Sequence, residues 1–278
     1  MLVELAVGDA YGAGFEFAEP DFVSARNTLR GYVQNPVYAG LRPGRYTDDT
    51  QMTVAVAEVL ADGEPWTAAS FAEAFVRAFH RDPRPGYARG FQALLPELAD
   101  GAALLARIRP DSDKSGAAMR SGPIGLLSTV DDVLRCAEVQ ARITHDTADG
   151  VESAQAAALA VHYCHFGLGP VAEVGRWVDG LLPSGGWAEP WTGAVGPKGR
   201  MSVRAALTAL SAHTGMSELL RACVAFTGDV DTVATIALAA GSRSAEVAQD
   251  LPSALLRDLE RGPYGHDYLA ELDLRLLG

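Results

Sequence analysis

Aromatic residues are scarce in this chain, at 8% of its 278 positions. Ala and Leu dominate instead, and both lose little freedom in a helix, so the composition favours a helical fold over a sheet. Basic residues are also short: 23 Lys and Arg stand against 35 Asp and Glu, a formal net charge of −12. A protein that grips a nucleic-acid backbone needs a basic surface, so nucleic acid is not expected as a ligand. No run of about 18 uncharged apolar residues occurs, which excludes a membrane-spanning helix. The start, Met1-Leu2-Val3-Glu4-Leu5, has no basic segment and no small-residue cleavage site, so no signal peptide is expected. Cysteine is limited to Cys136, Cys164 and Cys223. Their odd number and wide spacing suit neither a disulfide framework nor a metal site. Buried reduced thiols and a cytoplasmic location are expected. Internal repeats, low-complexity tracts and blocks of like charge are all missing.

What the chain has is helical periodicity, and 48% apolar residues with which to bury a core. The pattern predicts helices over 2–13, 48–62, 67–80, 86–99, 131–143, 149–165, 201–212, 216–226, 231–241 and 266–276. Small residues crowd 151–161 (VESAQAAALAV) and 234–240 (ATIALAA), which lets neighbouring helices approach closely. Gly/Pro-rich connections fall at 35–46, 110–116 and 183–200. The last is the only candidate linker, and Trp187 and Trp191 mark it as an anchored loop of one domain instead.

The surplus of acid has two readings. Spread over the surface, it keeps a protein dispersed; gathered, it surrounds cations. Two clusters bear on the choice: Thr47-Asp48-Asp49-Thr50 and Gly228-Asp229-Val230-Asp231-Thr232. Each opens a predicted helix, where Asp and Thr are ordinary caps and the helix dipole favours negative charge. Capping accounts for either cluster alone. One cap needs one acceptor, however, and each cluster supplies two carboxylates and a hydroxyl. Residues i and i+2 share no helix face, so Asp229 and Asp231 converge only where the chain is still entering its helix. If the two helix starts meet, four carboxylates repel unless cations neutralise them. Such hard oxygen ligands suit a pair of Mg²⁺ or Mn²⁺ ions.

The blocks Gly8-Asp9-Ala10-Tyr11-Gly12-Ala13-Gly14-Phe15-Glu16, Tyr46-Thr47-Asp48-Asp49-Thr50-Gln51-Met52, Ser115-Gly116-Ala117-Ala118-Met119-Arg120, Ile143-Thr144-His145 and Gly228-Asp229-Val230-Asp231-Thr232 follow one another in this order. In them the chain resembles the ADP-ribosylglycohydrolase family, whose members remove ADP-ribose from dinitrogenase reductase and from protein arginine or serine. The resemblance implies an all-α fold: a single-domain orthogonal helical bundle over residues 1–278 with a binuclear metal site in a central cleft. Thr47, Asp48 and Asp49 match one half of that site, and Asp229, Asp231 and Thr232 the other. Glu16 matches an acidic residue near the metals or the scissile ribose, with a plain helix-end charge as the alternative. Ser115, Gly116, Ala117 and Met119 match a loop and helix start that approach the ribose and phosphates, where small side chains let backbone N–H groups through. His145 matches a histidine near the phosphate or distal ribose. Two positions depart from the pattern. Ser115 stands where many members have Asn, and Thr227 replaces a common glycine and is expected to narrow the cleft.

The expected activity is metal-dependent hydrolysis of the N- or O-glycosidic bond between ADP-ribose and a protein side chain or small molecule. Asp48 or Asp49 would serve as general base, and Glu16 is a further catalytic candidate. On the sequence three other readings stay open: an ADP-ribose binder without activity, a structural protein of the lens-crystallin kind, and an unrelated metal-dependent phosphohydrolase. Other features read as structure. His162, Tyr163, Cys164 and His165 are successive positions that point to different faces. The glycines of 8–14 follow no strand, so they form no dinucleotide fingerprint. Trp187 and Trp191 anchor their loop.

Overall fold

Helices rich in alanine and glycine pack with their backbones close together, and that closeness organises the molecule. The computed structural model describes residues 1–277 and places 15 α-helices among them. In chain order these are α1 (Leu2–Gly12), α2 (Pro20–Arg26), α3 (Asp48–Ala61), α4 (Ala68–Arg81) and α5 (Arg89–Leu94). Next come α6 (Gly101–Arg107), α7 (Gly116–Met119), α8 (Val130–Arg142), α9 (Ala148–Phe166) and α10 (Val174–Asp179). The chain ends in α11 (Gly199–Ala212), α12 (Met216–Ala225), α13 (Val230–Gly241), α14 (Ser253–Asp258) and α15 (His266–Leu277). No strand occurs among the described residues, only isolated β-bridges, so the all-α expectation holds. Among the described residues no helix is long and apolar enough to cross a membrane.

The helix α13 lies at the centre. All its residues from Val230 to Gly241 are buried, as suits a helix that is apolar all round. Around it pack α1, α9, α11 and α12. The α1 contact is the closest, because Gly8 and Gly12 lie one turn apart on the same face of α1. A Cβ added to Gly12 would lie 2.4 Å from the Asp231 Cα, and one added to Gly8 2.8 Å from the Ala234 carbonyl oxygen. Glycine is what lets α1 touch the α13 backbone. The same four-residue spacing was visible in the sequence, where it had no role beyond the rejected dinucleotide motif.

Nine of the ten predicted helices match observed ones to within about two residues at each end. The tenth, over 86–99, does not form as one unit. Ala88 is extended (φ −50°, ψ 136°), and Pro96, which has no N–H for an α-helical bond, tightens the end into a 3₁₀ turn over Leu95–Glu97. The helices α2, α6, α10 and α14 were not anticipated. Each has six or seven residues, less than the window in which a helical period can be read. The 183–200 segment is an anchored loop. Trp187 is buried, its backbone N–H donates to Asp179 Oδ1 at 2.6 Å, and the Trp191 backbone N–H donates to Thr208 Oγ1 at 2.8 Å.

In an exposed helix, Gly→Ala gains about 1 kcal/mol. Gly12→Ala is expected to reverse that sign, because the only atoms that can yield are backbone: a loss of about 1–3 kcal/mol in urea unfolding. Gly31→Ala, where a Cβ meets nothing within 4 Å, serves as the near-neutral control. A stabilised Gly12→Ala protein contradicts the close crossing.

Candidate active site

The start of α3 is held by another helix. Asp9, buried in the middle of α1, accepts from the Thr47 N–H at 2.9 Å, the Thr47 hydroxyl at 2.9 Å, the Thr50 N–H at 2.9 Å and the Thr50 hydroxyl at 2.6 Å. One carboxylate therefore satisfies two of the free N–H groups at a helix start. Thr47 is itself the N-cap, accepting from the Asp49 N–H at 3.4 Å. Asp48 and Asp49 are left with no part in capping, and Asp49 Oδ2 is buried without any hydrogen-bond partner.

The start of α13 is braced by the 183–200 loop. Val195 N–H donates to Thr227 O at 2.9 Å and Asp229 N–H to Val195 O at 3.0 Å, while Phe17 N–H donates to Gly228 O at 2.9 Å. Gly228 has φ +87°, and a Cβ there would meet Val195 O at 1.9 Å. Thr227 also has positive φ, +64°, a region that glycine enters without strain and a β-branched residue does not. This corrects the expectation for Thr227: its side chain is not among the cleft walls, and what a glycine would relieve is the backbone. Asp229, at the N-cap, makes no side-chain capping bond. Its non-helical φ and ψ of −77° and 68° turn its carboxylate toward that of Asp231, the convergence at a helix entrance that the i, i+2 spacing demands.

Both helix starts open on one cleft of about 780 Å³, a size suited to a small-molecule ligand. Glu16, Asp48, Asp49, Asp229, Asp231 and Thr232 all line it. Oxygens of Glu16, Asp229 and Asp231 lie within 4.8 Å of one another. Burial, and then the negative charge of their neighbours, pushes the pKa values of Asp48, Asp49 and Asp231 well above the ordinary carboxylate range. Glu16 rises to about 8, through burial first and then Asp229 and Asp9. Asp229 is raised by burial, with the nearby Asp231, Thr232, Ser115 and Ser202 side chains pulling the other way. A crowd of buried carboxylates without a basic partner is a site short of positive charge. An all-oxygen donor set with one orphaned carboxylate oxygen fits a hard divalent cation.

A second group of candidates lines the same cleft. Ser115, Gly116, Met119 and His145 line the cleft beside Arg120 and Thr144. The Ala117 side chain turns away, into a small apolar cluster with Ala141, Val151 and Ala154. Thr47, too, is buried behind the cleft surface, its hydroxyl donating to Asp9. His145 is buried beside Gly116, and burial, then Arg120, brings its pKa down to about 3. The His162–His165 run lies elsewhere, with His162, Tyr163 and Cys164 buried. Two residues of consequence went unassigned in the sequence. Asp9 sat inside a quoted block, and its signal is a charged residue in the middle of an otherwise apolar helix. Arg120 closed another block and gave no signal of its own.

The family profile described as ADP-ribosylglycohydrolase matches residues 1–278. Over 171 residues the chain is 33% identical to ADP-ribosylhydrolase ARH3 of Mus musculus, covering 56% of this chain and 45% of that protein. It is 26% identical over 171 residues to ADP-ribosylarginine hydrolase Tri1 of Serratia proteamaculans, covering 58% of this chain and 45% of that one. The chain thus spans about half the length of these relatives. A solved structure described as an ADP-ribosylglycohydrolase-related protein complex superposes with a TM-score of 0.74 at 23% identity, over 99% of this chain and 94% of that one. That likeness is one of fold.

The carboxylate crowd has a measurable consequence in metal-free protein. Folding raises the Glu16 pKa from 4.5 to about 8, and Asp48, Asp49 and Asp231 move the same way. A group raised on folding contributes stability that is complete below its unfolded pKa and is lost as pH rises through its folded one. The melting temperature of chelator-treated protein is therefore expected to fall between about pH 5 and about pH 8, with Mg²⁺ or Mn²⁺ restoring it at the upper end. A melting temperature that climbs across that window, with or without cation, contradicts the assignment.

Proposed function

This chain belongs to the ADP-ribosylglycohydrolase family, and from that premise we propose that it is a divalent-metal-dependent hydrolase cutting the glycosidic bond between ADP-ribose and the group that carries it. The observation that carries the reading is the surplus of acid. Glu16 and the four aspartates at the starts of α3 and α13 line one cleft, and α3 is capped by Asp9 and Thr47 in place of Asp48 and Asp49. Asp48 and Asp49 on one side, with Asp229, Asp231 and the Thr232 hydroxyl on the other, would hold two Mg²⁺ or Mn²⁺ ions, with Thr47 behind them and Glu16 beside Asp229 and Asp231. Such ions, when bound, offset the carboxylate charge and orient ribose hydroxyls and water.

The remaining work falls to the chain. Cleavage at the ribose anomeric carbon passes through an oxocarbenium-like state that water attacks. One of Asp48 or Asp49 takes the proton from that water; the unpartnered Asp49 Oδ2 is an acceptor with nothing else to do. A carboxylate in that role must be ionised, so its raised pKa has to come down before it can act. Glu16, close to Asp229 and Asp231, stands where it can contact the scissile ribose. Ser115, Gly116 and Met119, with the Ala117 backbone behind them, form the wall that receives the phosphates and distal ribose alongside His145. An acidic cleft suits a cationic guanidinium leaving group, which favours an arginine-linked substrate on a protein or small molecule. The three cysteines are buried and unpaired, in keeping with a reducing cytoplasm.

In the test, an ADP-ribosylated arginine peptide is incubated with the protein, with and without chelator, and free ADP-ribose is measured. Wild type is expected to release it only with divalent cation. Asp229→Asn combined with Asp231→Asn is expected to lower the rate at least ~100-fold and to abolish cation-induced thermal stabilisation, with circular dichroism unchanged. Full turnover in the double variant, or in chelator, refutes the reading. Tight ADP-ribose binding with no release would make the protein a binder instead.

A further inference from the structure

Arg120 is fully buried, 1% exposed, yet its hydrogen-bond partners among the described residues are all neutral. Its Nε donates to Gln140 Oε1 at 2.5 Å, and one terminal nitrogen donates both to the Gln140 carbonyl at 3.0 Å and to Thr144 Oγ1 at 2.9 Å. The guanidinium also lies 4.3 Å from the centre of the Phe75 ring. Burial brings its pKa down to about 9, so it is still a cation at neutral pH. Leaving a charge buried on neutral partners is costly, so its effect on those partners matters.

A guanidinium only donates, and each acceptor facing it is fixed in that role. Gln140 must present Oε1 to Arg120. Its Nε2 therefore points the other way and donates to Ala117 O at 3.1 Å and to Ser121 Oγ at 3.0 Å. The Ser121 hydroxyl in turn donates to Ala117 O at 2.8 Å. On the other branch Thr144 Oγ1 accepts from Arg120 and has one proton left to give. Its other polar neighbour is His145 Nδ1, at 2.7 Å. Thr144 is buried, and a ring protonated on Nδ1 would leave that hydroxyl proton with no acceptor among the described residues, so Nδ1 accepts and the ring proton sits on Nε2. That edge of the ring lies against Gly116 on the cleft wall, where a Cβ on the glycine would be 3.3 Å from Nε2.

We infer that His145 is a neutral, Nε2-protonated imidazole that donates from the cleft wall to an acceptor oxygen of the bound ligand, with Arg120, acting through Thr144, as the positioning residue that sets this tautomer. The charged groups around the ring agree. Arg120, at the end of α7, and Lys114, on the strap before it, disfavour a second proton, and Asp113 on the same strap is the one opposing charge. The chemistry selected is an oxygen with no proton of its own to offer, above all a phosphate oxygen. His145 takes no part in proton transfer near neutral pH, since Nδ1 is occupied and the ring resists protonation. That the oxygen belongs to an ADP-ribosyl group rests on the function proposed above; the tautomer does not.

The experiment is two-bond ¹H–¹⁵N correlation NMR on protein with ¹⁵N-labelled histidine at neutral pH, His145 being assigned from the peak missing in His145→Gln. Wild type and Thr144→Ser are expected to show the Nε2–H tautomer alone. Thr144→Val, which removes the hydroxyl at nearly constant shape, should show a mixture. Calorimetric binding of ADP-ribose is expected to weaken ~10-fold in Thr144→Val and by less than ~2-fold in Thr144→Ser. An Nδ1–H or doubly protonated His145 in wild type overturns the inference, as does a Thr144→Val protein with the wild-type spectrum. The expected spectra in a wild type that fails to bind ADP-ribose support the relay and overturn the functional reading instead.

Discussion

Everything at the acidic end of the cleft depends on the two attachments of α1. One face of this helix, smoothed by Gly8 and Gly12, lies directly on the α13 backbone at Asp231 and Ala234. The next residue round the helix, Asp9, grips the start of α3 through the backbone and hydroxyls of Thr47 and Thr50. A single rigid element thereby fixes two other helix starts against one space, although they lie nearly two hundred residues apart in the chain. Because Asp9 and Thr47 cap α3, the carboxylates of Asp48 and Asp49 are released for another use.

Two groups of residues around the cleft are built on opposite electrostatic logic. On one side buried carboxylates gather with no Lys or Arg paired to them among the described residues, and folding alone leaves them eager for protons. The positive ends of α3 and α13 point at the same space and offset a part of that charge. On the other side Arg120 is a buried cation with no carboxylate to answer it. Each imbalance is costly in an isolated protein. Both would be relieved by the ligand and cations of the proposed function, ribose hydroxyls meeting the cations and phosphate oxygens meeting the hydrogen-bond donors.

The sequence carried the long helices because their apolar spacing repeats over three turns or more, and it carried the acidic positions because two carboxylates exceed the need of one cap. The short helices α2, α6, α10 and α14 were hidden, being too brief to show a period, and Pro96 turned an apparent helix over 86–99 into two pieces. The candidate residues line one cleft, with Thr47 and the Ala117 side chain set behind them. The supporting residues were hidden for a different reason. Asp9 and Arg120 act by contacting residues about 40 and about 20 positions away, and no local pattern announces such a contact. Thr227 shows the converse limit: the departure was visible in the sequence, but its meaning lies in a backbone angle.

The central claim is that carboxylates from the starts of α3 and α13 serve the same cations. Crystals grown with Mn²⁺ and measured for anomalous scattering test it most directly. Anomalous peaks are expected between the two helix starts, with Asp48 or Asp49 on one side and Asp229 or Asp231 on the other within coordinating distance, about 2.0–2.3 Å. Manganese held by one cluster alone, with the carboxylates of the other turned away, would contradict it.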